Sequence, residues 1–227
     1  MMDRIDALRF FYAALRRLGA GDSLAQFSDL RRTQVPKAGV YFFFEPGEVR
    51  SSSGDGPRVV RVGTHAITAT SRTSLWDRLK QHRGNDKTLG GNHRGSIFRL
   101  LVGDALQRQD GYSVDSWGVG NNASAATRLE ERALESSVSD YLRQMSVIGV
   151  SVSDRSERQI LETNSIALLS NYQKEPLDRP SPDWLGHHSS REKVRESGLW
   201  NNRCVDASFD SSSLEILKRS TPIVRSS

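Results

Sequence analysis

Apolar residues recur three and four apart through Ile5, Leu8, Phe11, Leu15 and Leu18, which predicts an amphipathic helix over 3–18 that Gly19 and Gly21 stop. Residues 22–37 are polar and end at Pro36-Lys37. The run from Gly39 to Phe44 is β-branched and aromatic, is followed by Pro46-Gly47, and reads as a buried strand. A turn-rich stretch over 47–57 leads to a second strand, Arg58 to Val62, closed by Gly63; two strands joined by a polar loop predict an antiparallel hairpin. Thr73 or Ser74 can cap a helix over about 74–83, with Leu75 and Leu79 on its apolar face. A Gly/Asn loop (84–95), a helix (96–108) and a second loop (109–126) follow. Residues 127–145 predict one long helix whose stripe is Leu129, Ala133, Leu134, Val138, Tyr141, Leu142 and Met145. A strand over 146–152 and a helix over 155–171 come next. After Pro176 the chain is irregular, with a short helix near 189–197, and the Ser-rich tail after Val205 is expected to be loosely held.

Strands mixed with segregated helices indicate an α+β fold: a small antiparallel or mixed sheet of about three strands, flanked by helices, with an N-terminal helix and a C-terminal extension. The expected division is a lead-in over 1–35, a central domain over 36–172, an extension over 173–204 and a flexible tail over 205–227.

Composition narrows the function. The 227 residues are 36% hydrophobic, enough for one domain with a core. No apolar run is long enough to cross a membrane, and charged residues interrupt the first eighteen positions, so neither a transmembrane span nor a signal peptide is expected. Cys204 is the single cysteine, which excludes an internal disulfide and a Cys-based zinc site and suits a reducing, cytoplasmic setting. The net charge is +5. Residues 72–108 alone carry eight Lys/Arg against three Asp, the same surplus as the whole chain. Such clustering is the footprint of a phosphate-backbone partner, with Lys80, Arg83, Lys87, His93 and Arg94 as candidate contacts; the competing reading is a solvated basic face. His187-His188 has poor spacing for one metal, and Gly118-Val119-Gly120 lacks the ending of a phosphate loop.

Three short motifs then stand in order: Gly39-Val40-Tyr41 on the first strand, Arg61-Val62-Gly63 on the second, and Arg78-Leu79-Lys80-Gln81-His82 on the helix after it. A later helix carries Glu162, and Asn171 follows nine residues on. This order resembles the GIY-YIG nuclease family, over roughly residues 36–172. The second motif departs from the family, with Arg61 where a tyrosine is usual. The resemblance implies a metal-dependent endonuclease cutting DNA, or RNA as a further substrate class, with Mg²⁺ or another divalent cation such as Mn²⁺. It implies that Tyr41 activates or orients water, that Arg78 clamps phosphate and that Glu162 holds the metal. Arg61 and His82 join them as catalytic candidates, with Gly39, Gly63, His65 and Asn171 as supporting positions.

The residue chemistry fits. Phosphodiester hydrolysis needs an aligned water and charge neutralisation. Glu162 interrupts an apolar face that includes Ile166 and Leu169, and a carboxylate there requires a cation or a hydrogen bond. Its structural alternative is an ion pair with Arg158 one turn earlier. The guanidinium of Arg78 has the fork for phosphate oxygens; its alternative is pairing with Asp77 or Ser74. His82 is a proton shuttle, a phosphate donor or a surface residue. A single metal site cuts one strand at a time, so a homodimer is one route to double-strand cleavage. The competing function is a non-catalytic nucleic-acid-binding module that keeps the fold, for which Arg61 is the main support.

Overall fold

The computed structural model describes residues 2–20, 24–66 and 72–220. Its centre is a three-stranded antiparallel sheet in the order β2-β1-β3, formed by β1 (Gly39–Val49), β2 (Pro57–Thr64) and β3 (Ser146–Ser151). The expected α+β class and small flanked sheet are therefore found. Alternation along β1 sends Val40, Phe42 and Phe44 to one face and Tyr41 and Phe43 to the other. The first face packs against α1 (Arg4–Arg17), α6 (Arg155–Leu169) and α8 (Leu214–Arg219). The second packs against α2 (Leu75–Arg83), α3 (Ile97–Asp110) and α5 (Arg132–Gln144), joined by Trp184 and Trp200 from the C-terminal region.

The pairing of β1 with β2 slips by one residue. Phe43 faces Arg61, but Phe44 faces Val59, which leaves Val60 as a bulge. Strict alternation would place Val59 and Arg61 on the same face. The bulge instead sends Val59 toward α1, while Arg61, across from Phe43, lies on the side of Tyr41. Gly39 is required for strand contact, since a Cβ there would lie 2.0 Å from the Val150 carbonyl oxygen.

Both sheet edges are covered. Beside β3, Val147 N–H donates to the Ala25 carbonyl and Phe27 N–H to that of Met145. Beside β2, Trp200 N–H donates to the Val60 carbonyl, and the Asn201 amide both accepts from Val62 N–H and donates to the Val62 carbonyl. These bonds occupy the backbone groups that an open edge would expose to other chains. Glu45 secures the same segment, since the Tyr141 hydroxyl and the indole N–H groups of Trp184 and Trp200 all donate to its buried carboxylate.

Two expectations change. The helix predicted over 127–145 breaks at Glu131 into α4 (Ala125–Glu130) and α5, where the buried Glu131 carboxylate pairs with Arg94 at 2.7 Å. Leu129, expected in the apolar stripe, is 68% exposed because α4 does not continue the packing of α5. The tail beyond Val205 is not loosely held as far as Ser220: Leu214, Ile216 and Leu217 are buried against α1 and α6, and Arg17 donates to the Leu217 carbonyl. The serines around this short apolar repeat mask its periodicity. Residues 221–227 lie outside the described residues.

Leu217→Ala should therefore behave as a core truncation. We expect a loss of about 2–5 kcal/mol in urea unfolding; a change within about 0.5 kcal/mol, as at a surface position, would show the tail to be dispensable.

Candidate active site

A cleft of about 740 Å³ opens where β2 ends, between α2, α6 and the segment after Trp200. Its wall brings together Tyr41, Arg61, His65, Arg78 and Glu162, which are far apart in the chain. Tyr41 forms its floor and is only 1% exposed. The ring can lie there because residue 63, its cross-strand partner, is glycine: a Cβ at Gly63 would fall 2.1 Å from the Tyr41 oxygen.

The Tyr41 hydroxyl lies 2.8 Å from His82 Nε2, and His82 Nδ1 lies 2.7 Å from the Ser96 hydroxyl. His82 is fully buried, and burial, followed by the charges of Arg78, Arg61 and Arg99, pushes it well below the ordinary imidazole range, so it is neutral at pH 7. A neutral ring has one donor and one acceptor. The Ser96 oxygen already accepts from Arg99 N–H, and His82 Nδ1 is the acceptor within reach of its own proton. The arrangement that leaves no buried donor unpaired has Ser96 donating to Nδ1 and Nε2–H donating to the Tyr41 oxygen. The phenolic proton is then directed to the cleft. His82 is buried and not in the cleft wall, so it is neither a surface residue nor placed for the expected direct phosphate contact; it reaches the cleft only through its bond to Tyr41.

Glu162 reaches the cleft from the opposite face of the sheet. One carboxylate oxygen accepts from Thr64 N–H at 3.2 Å, and the other has no partner among the described residues. Burial raises its pKa, opposed by the nearby charge of Arg61, the Thr64 bond and Arg78. Arg158 instead donates to the carbonyls of Val152 and Ser153, so the alternative ion pair with Glu162 is not formed. The Arg61 guanidinium donates to the Trp200 carbonyl and lies 5.3 Å from the Phe98 ring centre. Arg78 donates to Gln81 and to the Gly95 carbonyl, while Asp77 pairs with Lys80, so Arg78 does not take the expected alternative partners. Among the described residues no group of three or more His, Cys, Asp or Glu could hold a metal. A lone carboxylate with a free oxygen fits a hard cation such as Mg²⁺, which keeps most of its waters, and not a zinc site.

Nearly the whole chain matches one known family: residues 2–225 align with the GIY-YIG domain. The chain belongs to that family. No curated protein and no solved structure matches it. The GIY-YIG domain is of nuclease type and its members typically use divalent metal ions. The match runs well beyond residues 36–172, so α1 and the C-terminal segment fall within the matched region.

Several candidates lie elsewhere. Asn171 is not in the cleft; it accepts from Arg4 and from Leu177 N–H, fastening α1 to the end of α6. Arg83 is buried and donates to the carbonyls of Phe27 and Leu30. His93 is buried, stacked on Trp117 and bonded to Glu135. Arg94 forms a bidentate pair with Glu131. These three have internal partners and do not form the expected nucleic-acid face, whereas Lys80 and Lys87 are exposed. Conversely, Gln81, Gln159, Thr163, Asn201, Asn202 and Arg203 line the cleft although sequence reasoning does not select them. Asn201 and Arg203 follow no sequence signal; only pairing with β2 brings them there.

Two consequences are measurable. Gly63→Ala should displace the Tyr41 ring and cost about 1–3 kcal/mol in urea unfolding, against about 1 kcal/mol for Tyr41→Phe, which removes only the hydrogen bond; equal small losses would show that the ring does not need that space. The buried imidazoles also set an acid limit. Burial, then the charge of Arg158, lowers His65 to about 4, and His82 is lower than ordinary too. Below about pH 6.5 the unfolded chain takes up protons that the native imidazoles refuse, so stability falls with pH by up to about 1.4 kcal/mol per unit for each. His82→Gln should make the slope between pH 6.5 and 5 shallower by about one proton, and an unchanged slope would contradict a neutral His82.

Proposed function

We propose that this GIY-YIG domain is a divalent-metal-dependent endonuclease that hydrolyses phosphodiester bonds in DNA. The observation that carries this reading is the Tyr41–His82–Ser96 chain, which opens onto a cleft with Glu162 across from it. Neutral Nε2–H of His82 donates to the Tyr41 oxygen, which fixes the phenol so that its remaining proton or lone pair is held toward an attacking water. The Arg78 guanidinium, half-exposed at the cleft, clamps a non-bridging phosphate oxygen. Arg61 adds positive charge beside the same point and opposes the rise that burial imposes on the Glu162 carboxyl. A cation on Glu162 would neutralise the developing charge and lower the pKa of a bound water. Arg203 and Cys204 also line the cleft, and Cys204 has a left-handed backbone, φ 62°.

Arg61 in the usual tyrosine position favours a second reading, a nucleic-acid-binding module without catalysis. A plasmid-nicking assay separates the two. With Mg²⁺ or Mn²⁺ the wild type should nick, and Glu162→Gln and Tyr41→Phe should each slow it by about 10²–10³-fold while DNA binding persists. Arg61→Ala should slow it as well, and Arg61→Tyr should restore part of the rate. Binding without cleavage under every divalent cation would support the module instead.

A further inference from the structure

A second groove, of about 510 Å³, runs from the cleft along the C-terminal end of α2. Gln81 belongs to both walls, and the Arg78 bond to the Gly95 carbonyl joins the two rims. The groove is lined by glycines, Lys80, Gln81, Asn85, Thr88 and Asn92, with no carboxylate and no apolar side chain larger than a methyl-bearing threonine.

Its three amides share one arrangement. Gln81 Oε1 accepts from Arg78, Asn85 Oδ1 accepts from the N–H groups of Lys87 and Thr88, and Asn92 Oδ1 accepts from Arg94 N–H. Each carbonyl end is engaged, and each NH₂ end, on an exposed side chain, has no partner among the described residues. An amide fixed by its oxygen presents its two N–H donors in a set direction. The loop keeps this shape because it packs closely on a buried charge: a Cβ at Gly91 would fall 2.1 Å from the Arg99 guanidinium, which is held by Glu135 and the His82 carbonyl. Lys80 adds a cation, shared with Asp77 at 3.2 Å, and exposed Lys87 lies on the same loop.

We propose that this groove binds the sugar-phosphate backbone of the nucleic-acid strand flanking the bond to be cut. The proposal rests on the nucleic-acid reading of the adjoining cleft. Fixed donors, a lysine and the absence of carboxylates select an anionic, acceptor-rich occupant. A base is excluded as the main ligand because the lining has no aromatic ring or arginine plane on which one would stack. Recognition here is therefore independent of sequence. The groove also offers the strand a polar surface that Arg83, His93 and Arg94, turned inward to protein partners, do not provide.

The test uses Asn85→Asp combined with Asn92→Asp. Aspartate keeps the acceptor that caps each turn, so the thermal midpoint should stay within a few degrees, but it replaces a donor with a negative charge. Binding is read by fluorescence anisotropy with EDTA present, using labelled duplexes trimmed from either side of a fixed centre. The double variant should bind long duplexes about tenfold or more weakly than wild type, irrespective of flank sequence, and trimming one particular flank should abolish the difference. In Mg²⁺ the variant should show a raised KM and an unchanged kcat. Equal affinity of variant and wild type for the long duplexes, or a difference that follows flank sequence, would overturn the groove. Failure of the wild type to cleave, with the binding difference intact, would overturn the catalytic reading and leave the groove standing. No DNA binding by the wild type would overturn both.

Discussion

The space above Gly63 is the constraint on which the site depends. Strands β1 and β2 pair so that residue 63 stands directly across from Tyr41, and only a missing side chain lets the phenol lie over the neighbouring strand. From that position its oxygen meets His82, which is locked in turn by Ser96 at the start of α3. Three elements thus converge on one hydrogen-bond chain. Because it is buried, each member must be satisfied, and the proton positions follow from donor counting rather than from choice. The same unbroken register pairs Arg61 with Phe43 and so keeps it on the face of Tyr41, while the bulge at Val60 lets Val59 return to the face of α1.

The C-terminal segment is part of the site's construction. Leu199 to Asn201 run along the outer edge of β2, and the Trp200 carbonyl receives the Arg61 guanidinium. Glu45 anchors the same segment from β1 through two indoles, and burial raises its pKa despite the donors that meet it. A residue from β2 and a residue from the chain's last quarter therefore hold each other in place.

Positive charge is divided between two tasks. Arg99 is fully buried and joins Glu135, Ser139 and the His82 carbonyl. Burial alone would raise the Glu135 carboxylate, yet hydrogen bonds from His93 and the charge of Arg99 hold it below its usual value. Arg94 and Glu131 form a second internal pair. A buried charge needs this degree of pairing to be tolerated. These cations organise the loops over residues 84–120, and half-buried Arg78 with exposed Lys80, Lys87 and Arg203 face outward at or near the cleft.

The sequence by itself determined the alternation of β1, the periodic faces of α1, α2 and α6, the order of the motifs and the place of Tyr41, Arg78 and Glu162 among them. Those signals are local: each depends on neighbours two to four positions away, which is the range over which strand and helix geometry repeats. Tertiary structure decided the rest. A count of basic residues cannot tell Arg78 from Arg99, because burial depends on which distant carboxylate arrives. Nor does nine-residue spacing tell that Asn171 fastens α1, or that Asn201, thirty positions further on, reaches the cleft. The serines around Leu214 to Leu217 mask a short helix that forms against the apolar faces of α1 and α6. Isolated helices of that length are not stable in water, so their existence is a property of packing and not of the segment.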